Sequence, residues 1–367
     1  MSPLYDEIRR RIASAGPLSV HEFMALALGH SAHGYYRRDD PLGAAGDFVT
    51  APEISQMFGE LIGLWTADAW SRAGRPAKVR FVELGPGRGT LMADALRAIT
   101  QAAPDLRDAL SLHFVECNRT LRMKQAQALA GFVEPSWHDA FADVPAGPAI
   151  VIANEFFDTL PIRQLVRAAD GWRERVVAYD AGAARLAFAA GPPAPPPHPA
   201  HDGAIGAIAE FCPEGAALAR AIARRMATEG IAALIVDYGY ATGRTGETLQ
   251  AVRRHEFADP LVAPGECDLT AHVDFLAIAG AARSAGAAVH GPVPQGAFLA
   301  RLGIGARANT LLRTATPAQR EGIAAAVRRL IGADEMGTLF KALAIVAPSF
   351  GVPDGFQAEP ASADGQA

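Results

Sequence analysis

Three glycines at one-residue intervals follow an apolar run, and a carboxylate lies just before them. Residues 79–84 form the run, Gly85, Gly87 and Gly89 come next, and Glu83 precedes the first glycine. Glycines at the end of a buried strand permit a tight turn and let a ligand approach the backbone closely. Because a carboxylate repels a pyrophosphate and attracts an ammonium or a sulfonium, Glu83 favours a cationic ligand at this loop.

The spacing of the glycines also distinguishes between ligand classes. A P-loop that cradles phosphates ends in Gly-Lys-Ser/Thr, which this loop lacks. A dinucleotide fingerprint reads GxGxxG, whereas the loop from Gly85 to Gly89 reads GxGxG. The spacing therefore argues against a bound phosphate, although an ordinary strand–turn–helix corner stays open as the alternative if the loop is taken alone.

Two further acids close or follow the next predicted strands. Glu116 ends the apolar run 112–116, where an acid in a doubly wound sheet accepts hydrogen bonds from ribose hydroxyls. Asp139 follows a short predicted third strand, where an aspartate can accept from an exocyclic amine. A solvated strand-end carboxylate is the alternative for Glu116, and an ordinary turn residue is the alternative for Asp139.

A concentrated polar cluster ends the apolar run 149–153. It consists of Asn154, Glu155 and Asp158, with two phenylalanines between the acids. The carboxyl end of a central strand borders the crevice in which open α/β sheets bind ligands. Because an apolar strand rarely ends in so many polar groups, we predict a functional role for these three side chains.

Short apolar runs alternate with helical segments from residue 78 onward, and this alternation predicts the fold. Beyond the runs already named, 231–236, 287–290 and 339–346 are predicted strands, and helices are predicted over 89–100, 119–129 and 205–228. Such alternation forms right-handed βαβ units around a central parallel sheet. We therefore predict an α/β fold, with a doubly wound, Rossmann-like domain over residues 77–350.

Other segments are predicted to flank or interrupt this domain. Residues 1–76 are expected to form an N-terminal helical extension that includes a loop covering the ligand. Residues 162–202 are predicted to be an insertion containing a β-hairpin, because Asp170-Gly171 lies between two runs of alternating polarity. Residues 351–367 are small and polar, so we expect a disordered tail.

Within the extension, two acidic residues could reach the ligand. Thr50 and Glu53 have the spacing of a capping box ahead of an apolar helix that continues to about Trp70. Glu53 is thus either the partner of Thr50 or a ligand contact, and the sequence favours neither role. Asp47 lies in the Gly-rich stretch just before, which is expected to form a lid.

Overall composition narrows the classes of function. The chain has 367 residues, a net charge of −5 and no basic block, which argues against a nucleic-acid partner. Its three cysteines fit no metal-ligand spacing, so no metal site is predicted. No apolar run is long enough to span a membrane, and the first 20 residues lack the pattern of a signal or transit peptide. We therefore expect a cytoplasmic protein without membrane insertion.

Together these motifs resemble those of class I S-adenosylmethionine-dependent methyltransferases, and two strings resemble the MidA family in particular. The two strings are residues 46–60, GDFVTAPEISQMFGE, and residues 154–158, NEFFD. Further matching strings lie in the same order at 33–36, 236–239, 268–275, 296–303 and 336–341. The family includes a mitochondrial complex I assembly factor that methylates a protein arginine, so the resemblance implies the same kind of reaction.

The resemblance also implies a cofactor, a partner and a set of roles. S-adenosylmethionine would be the cofactor, and the substrate would be a protein, with a complex I subunit as one candidate. Along the cofactor, Gly85, Gly87 and Gly89 would lie at the methionine part, Glu83 at its amino group, Glu116 at the ribose and Asp139 at the adenine, with Asp47 and Glu53 nearby. Glu155 and Asp158 would hold the guanidinium and accept its proton, and Asn154 would orient cofactor or substrate.

Two alternatives stay open at this point. A dinucleotide-dependent oxidoreductase is disfavoured by the glycine spacing. A non-catalytic assembly factor that retains the fold is disfavoured more weakly, by the retained acids Glu155 and Asp158.

Overall fold

The computed structural model describes residues 2–37, 50–195, 203–241 and 246–357. Numbered along the chain, its strands are β1 (Leu18–Ser19), β2 (Val79–Leu84), β3 (Leu110–Val115), β4 (Ser136–His138), β5 (Ala149–Asn154), β6 (Arg163–Ala168), β7 (Gly171–Asp180), β8 (Arg185–Pro193), β9 (Ile208–Phe211), β10 (Ala232–Tyr240), β11 (Gln250–Arg253), β12 (Glu256–Ala258), β13 (Asp268–Thr270), β14 (Val273–Asp274), β15 (Ala288–Pro294) and β16 (Phe340–Val346). Its α-helices are α1 (Pro3–Ala15), α2 (Val20–Gly29), α3 (Ala51–Ile54), α4 (Gln56–Arg72), α5 (Thr90–Ala102), α6 (Pro104–Ala109), α7 (Arg119–Ala128), α8 (Pro213–Thr228), α9 (Phe275–Ser284), α10 (Gln295–Arg301), α11 (Ile304–Leu312), α12 (Pro317–Ile331) and α13 (Met336–Leu339).

The central sheet has the strand order β15-β16-β10-β5-β2-β3-β4, with β14 beside the end of β10. Strands β2, β3, β4, β5 and β10 run parallel, whereas β16 is antiparallel to both of its neighbours. The chain builds from β2 outward to β4 and then from β5 to β10 on the other side, where β16 lies between β10 and the edge strand β15. The order therefore reverses between β2 and β5, which is the switch point where open α/β sheets bind ligands. The predicted doubly wound α/β fold is confirmed.

The central sheet is buried between two helical layers. One face packs against α4, α5 and α10–α12, and the other packs against α8 and α9. Successive side chains of a strand point to opposite faces of the sheet. Phe81 of β2 therefore packs on the side of α4 and α5, whereas Val82 packs on the side of α8 and α9. Because both faces are covered, β2 and β5 consist almost entirely of buried residues, as expected for parallel strands.

A second, antiparallel sheet joins the insertion to the N-terminal segment. Strands β6 and β7 form the hairpin predicted at Asp170-Gly171, with Ala168 opposite Gly171. Strand β1 pairs with β7, so the N-terminal helices pack against the insertion. A small third sheet consists of β11, β12 and β13. The domain boundaries proposed from the sequence remain predictions, and residues 196–202 of the insertion lie outside the described residues.

Three sequence expectations differ from the structure. The helix expected from residue 205 begins at Pro213, because residues 208–211 form β9 and pair with β6. The apolar helix expected from Glu53 is interrupted at Ser55, whose extended backbone ends α3 and whose hydroxyl accepts from the Met57 N–H to cap α4. The expected tail differs as well: Phe356 is buried and its ring lies 5.3 Å from that of Phe298, whereas residues 358–367 lie outside the described chain.

Candidate active site

The glycine loop joins β2 to α5 at the switch point. Gly85, Gly87 and Gly89 all have left-handed φ angles, of 61°, 53° and 83°. A Cβ atom at Gly85 would lie 2.7 Å from Cδ2 of Phe156, so any side chain there would meet the ring as well as strain the backbone. The tight turn inferred from the sequence is therefore present, and it brings the loop against the end of β5.

A cavity of about 410 Å³ lies at the carboxyl ends of β2, β3 and β5. Most of the side chains predicted to bind the cofactor or to act in catalysis line it: Glu53, Glu83, Gly85, Gly87, Glu116, Asp139, Asn154 and Glu155. Gly89 and Asp158 lie outside its wall. Asp47 lies outside the described residues. The structure thus brings together eight residues from separate parts of the sequence, and their individual roles stay predictions.

Glu83 is the most deeply buried acid of the cavity wall, at 3% exposure. Its Oε2 atom has no hydrogen-bond partner among the described residues. Burial raises the pKa of Glu83 to about 8. An unpartnered buried acceptor of this kind suits an ammonium group, which supplies both N–H donors and a positive charge.

Glu116 directly follows β3 and is held from two sides. Its Oε1 accepts from the Asn118 N–H at 2.7 Å, and its Oε2 accepts from Nε2 of Gln125 at 3.2 Å. Burial raises the pKa of Glu116. Each carboxylate oxygen can accept a second hydrogen bond, so the fixed carboxylate can still receive two hydroxyl donors.

Asp139 occupies the rim of the same region. Its side chain is 83% exposed and forms an ion pair with Nη2 of Arg122 at 2.6 Å. Nε of Arg122 also donates to the Glu116 carbonyl at 2.7 Å, which connects the rim to the end of β3. An exposed pair of this kind contributes little stability, so Asp139 is available to a ligand at small cost.

Residues 154–158, which we call the acid loop, are fixed by an acid from the neighbouring strand. Oδ2 of Asp237 accepts from the backbone N–H groups of residues 156–158 at 2.9–3.2 Å. Its Oδ1 accepts from the Tyr238 N–H, and the side chain is fully buried. Burial and the nearby Asp158 and Glu155 raise the pKa of Asp237 well above its ordinary value, although the backbone donors oppose this shift. Glu155 meanwhile adopts a left-handed φ of 48°, a conformation that its surroundings must enforce.

Glu155 lines the cavity beside the glycine loop. Its Oε1 accepts from the Ala51 N–H at 2.8 Å and from Nδ2 of Asn154 at 3.2 Å. The Oδ1 atom of Asn154 has no partner within the described chain. Burial raises the pKa of Glu155 to about 7, the Ala51 hydrogen bond opposes this, and the charge of Asp158 adds to it.

Asp158 lies behind the cavity wall. Its side chain is 5% exposed, and burial raises its pKa to about 7. The neighbouring Tyr238 phenol opposes this rise in pKa, whereas the Oδ1 atom of Asp158 has no partner in the described part of the chain. The charge of Asp158 adds to the raised pKa of Glu155, and its predicted contact with a substrate stays a prediction.

Glu53 is not part of a capping box. Thr50 makes no side-chain cap, and Oε1 of Glu53 instead accepts from the Thr90 hydroxyl at 2.6 Å. This bond connects α3 to the first residue of α5, next to the glycine loop. The capping-box interpretation is thus wrong, and a ligand contact of Glu53 stays a prediction.

Sequence reasoning missed two residues of the site. Tyr36 lines the cavity and donates from its hydroxyl to Oδ1 of Asp268 at 3.0 Å. Gln125 is fully buried behind Glu116. Tyr36 belongs to a string that carried the MidA resemblance, and Gln125 follows Leu121 by four residues on one helical face, where a polar residue is conspicuous.

Comparison with known proteins identifies the family. Residues 61–293 match the model of a family described as S-adenosyl-L-methionine-dependent methyltransferases. The chain is 36% identical to a Danio rerio protein named protein arginine methyltransferase NDUFAF7, mitochondrial, over 94% of this chain and 86% of that protein. The chain belongs to the MidA family of S-adenosylmethionine-dependent methyltransferases. S-adenosylmethionine is therefore its methyl donor, and the oxidoreductase alternative is wrong.

Other relatives agree with this MidA assignment. A Drosophila melanogaster homolog of the same name is 37% identical over 93% of this chain and 84% of its own length. A crystal structure from Burkholderia thailandensis, bound to S-adenosyl-homocysteine, is 30% identical with a TM-score of 0.79, covering 97% of this chain and 92% of that one. The expected cytoplasmic location is contradicted, because the relatives are named as mitochondrial proteins.

Two further features of this MidA protein concern what it could bind. Within the described ranges, no helix is both long and apolar enough to cross a membrane. The same residues contain no group of three or more His, Cys, Asp or Glu side chains that could hold a metal ion. Two polar residues of the 268–275 string, His272 and Asp274, hold neighbouring elements: Asp274 caps α9, and the His272 N–H donates to the Thr248 hydroxyl at 2.9 Å.

Proposed function

We propose that this protein transfers a methyl group from S-adenosylmethionine to a guanidinium nitrogen of an arginine in a protein substrate. The observation that carries the proposal is the pair formed by Glu155 and Asn154 at the cavity wall. A carboxyl group and an unpartnered amide oxygen lie side by side there, next to the glycine loop. A guanidinium supplies several N–H donors and a positive charge, which is what this pair lacks.

The residues at the other end of the cavity suit the methyl donor. Glu83 would accept from the amino group, Glu116 from the ribose hydroxyls, and Asp139 from the adenine amine, while the glycine loop lets the methionine part approach the backbone. Glu53 and Asp47 would lie near the cofactor. Two observations support this assignment: the unpartnered Oε2 atom of Glu83, and the fixed carboxylate of Glu116 with acceptor capacity to spare.

S-adenosylmethionine supplies a methyl group activated by its sulfonium. The acceptor nitrogen forms a bond to the methyl carbon while the carbon–sulfur bond breaks and its electron pair stays on sulfur. The nitrogen then loses one proton, which Glu155 would accept. A neighbouring guanidinium favours the ionised form of Glu155, so substrate binding itself would prepare the base. Asp158 would strengthen the negative potential from behind.

The nature of the acceptor is supported by the names of the relatives, which describe protein arginine methyltransferases. The MidA resemblance extends the proposal to a subunit of respiratory complex I as the protein partner.

The test uses the full chain, S-adenosylmethionine labelled in its methyl group, and a cell extract as the source of acceptor proteins. We expect label in the protein fraction, recovered as methylarginine after hydrolysis. Label on another amino acid, or only in small molecules, would overturn the arginine assignment. S-adenosylhomocysteine binding without any transfer would instead indicate the non-catalytic assembly factor.

The role of Glu155 is tested by Glu155→Gln, which keeps the shape of the side chain and removes the base. The initial rate should fall at least about 100-fold, whereas the Kd for S-adenosylhomocysteine should change less than about threefold. The matched control is Glu174→Gln, since Glu174 is a buried acid of β7 that pairs with Arg163 away from the cavity. Full activity of Glu155→Gln would remove Glu155 from catalysis.

A further inference from the structure

Gln125 connects three elements of the cofactor region through one amide group. Its Nε2 atom donates to the carbonyl oxygen of Gly87 at 2.7 Å and to Oε2 of Glu116 at 3.2 Å. Its Oε1 atom accepts from Nε1 of Trp137 at 2.7 Å. The side chain is completely buried. The glycine loop after β2, the acid after β3 and the aromatic residue of β4 are therefore joined at a single point.

The orientation of this amide is determined by its partners. The indole N–H of Trp137 can only donate a hydrogen bond, so the oxygen of the amide must face it. The NH₂ group then faces two acceptors, and both of its hydrogens are used. A flipped amide would place an N–H donor against the indole N–H and an oxygen against Glu116 and Gly87, which is unfavourable at each contact.

The arrangement fixes the carboxylate of Glu116 relative to the glycine loop. Gln125 holds one oxygen, and the Asn118 N–H holds the other. Gln125 also packs against the loop, since a Cβ atom at Gly89 would lie 3.3 Å from its Cα atom. A carboxylate held from both sides keeps two acceptor positions pointing in fixed directions, which suits a pair of neighbouring hydroxyls such as those of a ribose.

We infer that Gln125 is the positioning residue for ribose recognition. It would not touch the cofactor, but would align Glu116 and the Gly87 carbonyl before the cofactor binds. This inference rests on the proposed contact between Glu116 and the ribose. A purely structural role in the core would instead affect folding and leave cofactor affinity unchanged.

The first experiment measures S-adenosylhomocysteine binding by calorimetry for Gln125→Glu and Gln125→Met. Gln125→Glu keeps the acceptor for Trp137 and places an oxygen against Glu116, so the Kd should rise at least about 30-fold. Gln125→Met keeps the length of the side chain without its hydrogen bonds, and the Kd should rise about fivefold to tenfold.

A matched control separates positioning from the cost of burying a charge. Gln295 on α10 is also completely buried, and its Nε2 atom donates to the Leu330 carbonyl at 2.9 Å, away from the cavity. Gln295→Glu also buries a carboxyl group at a similar cost, but its Kd for S-adenosylhomocysteine should stay within about threefold of the wild-type value. Thermal unfolding of each variant shows whether the losses of stability are comparable.

The decisive readout is the dependence on the ribose hydroxyls. If Gln125 acts through Glu116, the affinity loss of Gln125→Met should shrink for S-adenosylhomocysteine analogues that lack the 2′ or the 3′ hydroxyl. An equal loss for all three ligands would overturn the inference, and so would unchanged affinity in both Gln125 variants.

Failure of this inference can be told apart from failure of the proposed cofactor contact. Glu116→Gln tests that contact directly, and unchanged affinity there would remove Glu116 from ribose binding. A large loss in Glu116→Gln together with wild-type affinity in both Gln125 variants would leave the contact intact and remove only the role of Gln125.

Discussion

The two ends of the cavity differ in how their acidic groups are bonded. At the cofactor end, both oxygens of Glu116 are held by neutral donors, and Gln125 ties that acid to the glycine loop. At the acceptor end, Asn154 and Asp158 each leave one oxygen without a partner in the described chain, and Glu155 has a raised pKa and a left-handed backbone. The comparison indicates that the carboxylate proposed for the ribose is fixed before binding, whereas Glu83 and the acceptor end are each completed by a cation.

The largest expected effect comes from a change that disturbs both ends together. Gly85 belongs to the cofactor end, yet a side chain there would meet the ring of Phe156 in the acid loop. Gly85→Val should raise the Kd for S-adenosylhomocysteine at least about 100-fold and also lower the transfer rate at saturating cofactor. Calorimetry and rate measurements check the two effects, and a defect in binding alone would show that the two ends are independent.

A change at Asp237 should affect only the acceptor end. Asp237→Asn loses part of the acceptor capacity that holds the acid loop, so kcat should fall about 30-fold with little change in the Kd for S-adenosylhomocysteine. Asp274→Asn is the control, because Asp274 also accepts from two backbone N–H groups, at the start of α9. Equal effects of the two substitutions on kcat would contradict a specific role of Asp237.

The smallest effect concerns the protonation of Glu83. Its pKa of about 8 means that the free protein holds a proton there at neutral pH, whereas a bound ammonium would favour the ionised form. Binding should then release a proton, and affinity should improve by at most about tenfold per pH unit as the pH rises toward 8. Calorimetry in buffers of different ionisation enthalpy measures the release, which Glu83→Gln should abolish.

The same pKa shift predicts a trend in stability without cofactor. The folded-state pKa of Glu83 is raised above its ordinary value, so the folded chain binds more protons than the unfolded chain between the two values. The free energy of unfolding should therefore fall as the pH rises from about 5 to about 8, and Glu83→Gln should flatten this slope. A slope that is the same in the variant would show that other groups, such as Glu155, dominate.

Local signals predicted the parallel sheet and the acids of the cavity wall. The glycine loop, Glu116 and the acid loop each follow an apolar run directly, so their positions depend only on the strand ends. Parallel strands in register then bring these ends together at one edge of the sheet. The acids of the cavity wall could thus be identified from the sequence, although the role of each acid could not be predicted in the same way.

Features that depend on distant partners could not be predicted in this way. Gln125 is recognisable only once Gly87, Glu116 and Trp137 surround it. The spacing of Thr50 and Glu53 fits a capping box, but Thr90 provides a competing partner that lies far along the chain. Residues 208–211 read as the start of a helix, yet pairing with β6 decides their conformation. In each case a tertiary contact overrides a local pattern.

The short helix α3 forms hydrogen bonds at both ends of the cavity. Its Ala51 N–H bonds to Glu155 at one end of the cavity, and its Glu53 accepts from Thr90 beside the other end. The part of the chain that matches the family model begins only at residue 61, so it omits this piece of the cavity wall. Both bonds depend on the position of α3, so we expect a displacement of α3 to disturb both ends of the cavity together. The adjoining α4 itself contributes no side chain to the cavity wall.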